Sequence, residues 1–270
     1  MHRYTLFLLA FSTIIAVVGS GIVVKRMRNV PIASEPLVEE YTPIHDTPAV
    51  APISNSKTLI GKSAFKPRLS ATPDFTKRVV RSVPFTSQAP LAQWKDDRHQ
   101  DGCEEASVLM VMRWVQGKSI TPVDATSAIE SIAAFEEKNY GTYHDTSAQD
   151  TLSRIINGYF HYTKATVKIG IGPKDIRDAL YAGYVVIVPM NGQKLGNPNF
   201  TGAGPQTHML SIIGYDPASD EFITNDPGTR KGAGYRYAAA AIERSLLNYP
   251  TGRHEPLTGS EGTAMIVVSK

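Results

Sequence analysis

Gln100-Asp101-Gly102-Cys103-Glu104-Glu105-Ala106-Ser107 runs directly into Val108-Leu109-Met110-Val111-Met112-Arg113-Trp114. A polar, glycine-containing turn thus feeds an apolar segment, predicted as a helix over residues 106–116, whose first turn carries the chain's only cysteine. Unpaired N–H groups and a partial positive charge at a helix N-terminus favour a thiolate over a thiol. A buried structural cysteine falls more often mid-helix or mid-strand in apolar company.

Groups able to activate Cys103 lie downstream. His208 begins the strand-like run Met209-Leu210-Ser211-Ile212-Ile213-Gly214-Tyr215, and Asp216-Pro217-Ala218-Ser219-Asp220 is a turn. A second strand, 221–224, ends in Asn225-Asp226-Pro227-Gly228. If the two strands pair as a hairpin, the start of the first lies beside the end of the second. His208 then meets Asn225 and Asp226 despite the intervening residues. Acyl chemistry on a thiol needs a base to take the proton and a third group to fix the imidazole's tautomer. Asp226 is the better orienting group because Pro227 ends the strand and exposes the carboxylate at the rim; Asn225 is the alternative. Upstream, 83–88 (Val-Pro-Phe-Thr-Ser-Gln) reads as a short edge strand ending in Gln88, whose amide with the Cys103 N–H would supply two oxyanion donors.

Val-Pro-Phe-x-x-Gln, a cysteine opening a helix, His-x-x-x-Ile-x-Gly-Tyr and Asn-Asp-Pro, in that order, resemble the papain-like cysteine peptidases related to bacteriocin double-glycine leader peptidases. The resemblance covers about residues 80–268 and includes the apolar run Gly183-Tyr184-Val185-Val186-Ile187-Val188. It implies Gln88 as oxyanion donor, Cys103 as nucleophile, His208 as general base and Asp226 as orienting residue, in a stand-alone domain. Glu104-Glu105 stand where the family often has Gly-Pro. Two carboxylates suit a helix N-terminus but oppose a thiolate beside them. Transporter-linked relatives add membrane and ATPase domains; no phosphate-binding loop of the Gly-x-x-x-x-Gly-Lys type occurs here, so coupled export is not expected.

Three parts are expected: a signal peptide or membrane anchor over 1–28, a proline-rich tether over 29–79, and a peptidase domain over 80–270. Residues 5–24 carry no charge, and twenty residues at 1.5 Å rise span about 30 Å, a bilayer core. Val18-Gly19-Ser20 resembles a signal cleavage site, but the apolar stretch runs past it, which favours an uncleaved anchor. Lys25, Arg26 and Arg28 would hold the following domain inside, whereas Arg3 and the very short head favour an outward-facing domain. We take the outward orientation, which a lone thiol suits. The tether has seven prolines and no sustained apolar period.

In the remaining stretch, helices are predicted over 106–116, 123–135, 147–157 (capped by Thr146 or Ser147), 173–182 and 237–248. Strands are predicted at Ala165–Ile169, 184–189, the His208 hairpin and Ala264–Val268. Helices followed by an antiparallel sheet make this α+β, as a papain-like fold requires. The Gly-, Asn- and Pro-rich segment 191–207 reads as a mobile loop beside the cleft.

Net charge is +3, with much of the excess just after residue 24, so no nucleic-acid face is implied. His99 and Cys103 lack the further Cys/His residues a metal site needs, and no metal or cofactor is expected. His144, His161 and His254 have no motif around them and read as surface or structural residues. Asn199-Phe200-Thr201 is formally a glycosylation acceptor. The reading is therefore a membrane-tethered cysteine peptidase acting on a peptide or protein, with amidase or transpeptidase chemistry available to the same groups. The rivals are a non-catalytic peptide- or wall-binding module and a redox-sensing thiol.

Overall fold

A computed structural model describes residues 74–270. The candidate anchor and all but the last six residues of the candidate tether lie outside it. Among the described residues no helix is long and apolar enough to cross a membrane. Those last six residues, 74–79, are part of the domain. Phe75 meets Tyr181 edge to face at 4.8 Å, the Tyr181 hydroxyl donates to the Phe75 and Lys77 carbonyls, and β1 (Val79–Val80) pairs with the fourth strand.

The architecture is α+β around an antiparallel seven-stranded sheet. After β1 come α1 (Asp97–Gln100), α2 (Cys103–Gln116) and α3 (Pro122–Tyr140). Then follow α4 (Ala148–Asp150), continued as a π-helical segment Thr151–Tyr159, β2 (Ala165–Ile169) and α5 (Pro173–Tyr181). The carboxyl half holds β3 (Val185–Met190), α6 (Gly192–Leu195), β4 (His208–Asp216), β5 (Glu221–Asn225), β6 (Tyr235–Ala238), α7 (Ala239–Ser245) and β7 (Ala264–Val268). The strands lie in the order β2-β7-β3-β4-β5-β6, with β1 on β4.

The unbroken apolar run of β3 has a simple cause: helices cover both faces of the sheet. Val185, Ile187, Met209, Ile213, Ile223 and Ile266 face a core shared with Val108, Val111 and Met112 of α2. Alternate residues Val186, Val188, Leu210, Ile212 and Phe222 face Ile176 and Leu180 of α5 and Ile242 of α7. Each fully buried side chain of this size contributes about 1.5–3 kcal/mol, so the two-sided core fixes strand register firmly. A one-residue slip would send each set to the wrong face.

Several expectations need correction. Residues 83–88 are extended but form no strand; β1 at 79–80 supplies the edge pairing instead. The helix predicted over 237–248 is β6 followed by the shorter α7, because Tyr235 and Tyr237 pair with Thr224 and Phe222 before the alanine run can turn helical. Residues 191–207 are not a free loop. Asn191 caps α6, Leu195 and Asn197 are buried, and Pro205 packs against Gly192, where an added Cβ would meet it at 2.8 Å. The third helix is capped by Ser147 and turns π-helical after Asp150.

Three glutamates are buried beneath the amino end of α2. Glu105 and Glu136 have no hydrogen-bond partner on either carboxyl oxygen among the described residues. Burial, then the Glu104 charge, pushes Glu136 up to about 9; burial, then the Glu136 charge, pushes Glu105 far above its ordinary range. A carboxyl group raised in the folded state contributes stability that is fully present below its unfolded value, 4.5, and is lost as pH climbs through the folded one. The loss between pH 5 and 9 is on the order of a few kcal/mol. Melting temperature should therefore fall across this window, and Glu136→Gln should flatten the fall. A wild-type and a Glu136→Gln profile of equal slope would contradict this.

Candidate active site

The site is assembled by the start of α2 and by the ends of β4 and β5. Gly102 is the N-cap of α2, and only glycine fits there: a Cβ would sit 2.5 Å from the Arg98 carbonyl. Cys103 is therefore the first helical residue, three positions before the predicted helix start. One turn later, the Ser107 hydroxyl donates to the Met209 carbonyl at 3.1 Å. That bond docks the nucleophile helix onto β4 at the residue after His208. A mid-helix serine carries no sequence signal for this role.

The β4–β5 hairpin pairs Ser211 with Asn225, so His208 and Asp226 extend beyond the paired region on the same end. His208 Nε2 lies 2.8 Å from Asp226 Oδ1, with both side chains almost wholly buried. Asp226 also accepts from the Gly228 N–H at 3.0 Å, the Tyr237 hydroxyl at 2.5 Å and Asn197 Nδ2 at 3.3 Å. Burial alone would push the Asp226 carboxyl upward. The His208 charge and these donors outweigh it and leave the group below its ordinary value. An ionised Asp226 accepts the proton on His208 Nε2, and Nδ1 makes no hydrogen bond among the described residues. The ring is held between Phe200, edge to face at 5.3 Å, and Gly228, where a Cβ would come within 2.9 Å of Cε1.

Asn225, the alternative orienting group, is engaged elsewhere. Its Nδ2 donates to the Val83 and Pro84 carbonyls, and its Oδ1 accepts from the Gly234 N–H. It fastens the segment leading to Gln88. Gln88 donates its own backbone N–H to the Pro227 carbonyl at 2.9 Å, which brings it beside the His208–Asp226 pair. Its side-chain Nε2 donates to the carbonyls of His99 at 3.1 Å and Gln100 at 2.7 Å, while Oε1 is buried without a partner. His99 returns a bond from Nδ1 to the Gln88 carbonyl at 2.7 Å. This histidine is thus a strut for Gln88.

Gln88, Cys103 and His208 line one cavity of about 320 Å³. Cys103 is 5 % exposed and His208 1 %, so the cavity reaches the thiol through a narrow opening. No hydrogen bond joins Cys103 to His208 among the described residues. The thiol donates instead to Glu104 Oε2 at 3.0 Å. The other Glu104 oxygen accepts from the Tyr249 hydroxyl at 2.6 Å and the Thr146 N–H at 3.3 Å. Burial first, then the Glu104 charge and this hydrogen bond, push the Cys103 thiol well above its ordinary value. Glu104 is itself raised to about 7 by burial and by the Asp145 charge. The electrostatic opposition expected from Glu104 is therefore present as a direct contact. Tyr249, Tyr237, Asn197 and Ser107 complete the surroundings, and none belongs to a motif legible in the sequence.

Asp96, His99 and Glu130 offer ligand atoms within 4.8 Å of one another. Arg98 already occupies the cationic position among them, 2.6 Å from Asp96 and 3.5 Å from Glu130.

Replacing Glu104 by Gln removes the adjacent charge while an amide N–H can still reach a thiolate. The alkylation rate of Cys103 in Glu104→Gln at pH 7–8 should rise about threefold to thirtyfold over wild type. An unchanged or lower rate would show that Glu104 does not hold the thiol proton.

The sequence profile of the Peptidase C39-like family matches residues 80–252. No curated protein matches the chain. Among solved structures, a Bacillus anthracis chain described as a C39-like peptidase is 16 % identical. The match covers 72 % of the present chain and 98 % of the other, with a TM-score of 0.40. With the profile spanning most of the described domain, the chain belongs to the Peptidase C39-like family.

Proposed function

We propose that the domain is a cysteine peptidase in which Cys103 attacks a peptide carbonyl. The observation that carries this reading is the buried His208–Asp226 pair, whose histidine lines the same cavity as the thiol. His208 Nδ1 takes the thiol proton as sulfur bonds to the carbonyl carbon. The oxyanion forms against the Cys103 N–H and the Gln88 amide, a type of stabilisation in which each donor is worth about 3–4 kcal/mol. Gln88 can serve by turning the N–H now on the longer bond, to His99, toward the substrate, keeping the shorter one to Gln100. The carbon–nitrogen bond then breaks, and the imidazolium protonates the leaving amine. Water, deprotonated by Nδ1, attacks the thioester; the carbon–sulfur bond breaks and the thiol is restored.

Because the resting thiol is protonated and held by Glu104, proton transfer to His208 accompanies substrate binding and does not precede it. Glu104 titrating at about 7 gives the pH dependence its sign. Protonation of Glu104 removes the charge opposing the thiolate, so its own contribution favours reactivity below pH 7.

On a peptide mixture as substrate, Cys103→Ala should abolish hydrolysis. Asp226→Asn should lower it by about 100-fold or more, because an amide no longer fixes the tautomer. Wild-type hydrolysis surviving in Cys103→Ala would sink the mechanism.

One observation favours a second reading, a peptide-binding module without turnover. The thiol faces a carboxylate and makes no bond to His208. That reading predicts peptide affinity in wild type with no product at any pH.

The anchor reading of residues 5–24 belongs to the same proposal and rests on the uncharged stretch alone. Full chain expressed in cells should stay with membranes through an alkaline wash. Recovery of all of it, uncleaved, in the soluble fraction would remove the tether.

A further inference from the structure

The cavity at Cys103 is electrostatically one-sided. Asp101, Asp145 and Glu255 line it, and neither lysine nor arginine does. The Asp101 carboxylate accepts no hydrogen bond among the described residues; the backbone N–H donates to the Asp97 carbonyl. The nearest basic side-chain nitrogens are His254 Nε2 at 3.7 Å and His144 Nε2 at 3.8 Å, both beyond hydrogen-bonding reach. Asp145 is 4 % exposed and accepts from His254 through Oδ2 only, from the backbone N–H and from Nδ1, each at 3.0 Å. Gln88, 6 % exposed on the same wall, has an acceptor, Oε1, with no partner at all. A buried acceptor such as Gln88 Oε1 is costly unless a donor arrives.

The adjoining cavity on the other side of Gln88 has the opposite sign. It shares Gln88, Gln100 and Pro205 with the first, and adds Trp94, Arg230 and Lys231 with no carboxylate. Neither Arg230 nor Lys231 is in an ion pair among the described residues.

We propose that the Asp101–Asp145–Glu255 wall is a subsite for a cationic group of the substrate, a lysine or arginine side chain or a free amine. An ammonium brings three donors, and Gln88, Asp101 and Asp145 all line the volume it would enter. His254, whose side chain is 59 % exposed, is bonded to Asp145 and lies 3.7 Å from Asp101, and it yields to the incoming cation. The basic cavity beyond Gln88 takes an acidic residue or carboxylate of the same peptide, so that charge sets the direction in which the chain lies.

This inference rests on the peptidase reading for its substrate class, and its test separates the two. Fluorescent peptides of one length, differing by a single lysine, norleucine or glutamate scanned along the chain, are bound to the full-length Cys103→Ala protein. Lysine at one position should tighten binding about tenfold or more over norleucine. Adding Asp101→Asn should bring that ratio to within about twofold of unity. Glu255 is exposed, so a Cys103→Ala/Glu255→Gln protein should keep its fold and lose part of the preference. Equal affinity for lysine and norleucine peptides at every position, or a preference untouched by both substitutions, overturns the subsite. Wild-type hydrolysis of the same peptides without lysine preference removes the subsite and leaves the peptidase. Lysine-selective binding with no hydrolysis keeps the subsite and removes the peptidase.

Discussion

The buried carboxylate of Asp226 is the point on which the site depends. It receives bonds from β4 through His208, from its own turn through Gly228, from β6 through Tyr237 and from the 191–207 segment through Asn197. Leaving such a charge unpaired in the interior would cost several kcal/mol. The four donors are therefore a folding requirement as much as a catalytic arrangement. The hairpin must close, β6 must pair and the long segment must dock before the carboxylate is satisfied. The same constraint explains two glycines. Gly228 leaves room for the imidazole, and at Gly232 a Cβ would fall 1.8 Å from the Asp226 carbonyl.

Against this fixed pair stands a thiol that is anything but fixed as an anion. The helix N-terminus favours a thiolate by roughly 1 kcal/mol. Burial and the adjoining Glu104 work in the other direction and prevail. Glu104 is in turn tied to Tyr249 and Thr146, so the restraint is built from three elements distant in sequence.

Much of the frame was legible because its signals are local. The hairpin turn at Asp216–Asp220, the apolar run of β3 and the helix after Cys103, though not its first three residues, each follow from short-range pattern. The hairpin reading set His208 beside Asn225 and Asp226, and the strand-ending Pro227 favoured Asp226. What escaped was non-local or polar. Residues 235–238 carry a strand pattern too short to outweigh the alanines after them, and only pairing with β5 makes them β6. Nothing near Asn197, Tyr237, Ser107 or Tyr249 marks them as partners of the site. His254 and His144 read as bystanders because their aspartates, 101 and 145, lie far from them in sequence or carry no motif. Glu104 was visible as a departure, but its direct hold on the thiol was not.

The most direct test of the central claim is the alkylation rate of Cys103 in the full chain between pH 6 and 9, compared with His208→Ala. The account predicts that the wild-type rate exceeds that of the variant by about tenfold or more at neutral pH, because only Nδ1 can take the proton that Glu104 holds. Identical rates rising only at alkaline pH would contradict it, since the thiol would then be insensitive to the histidine that shares its cavity.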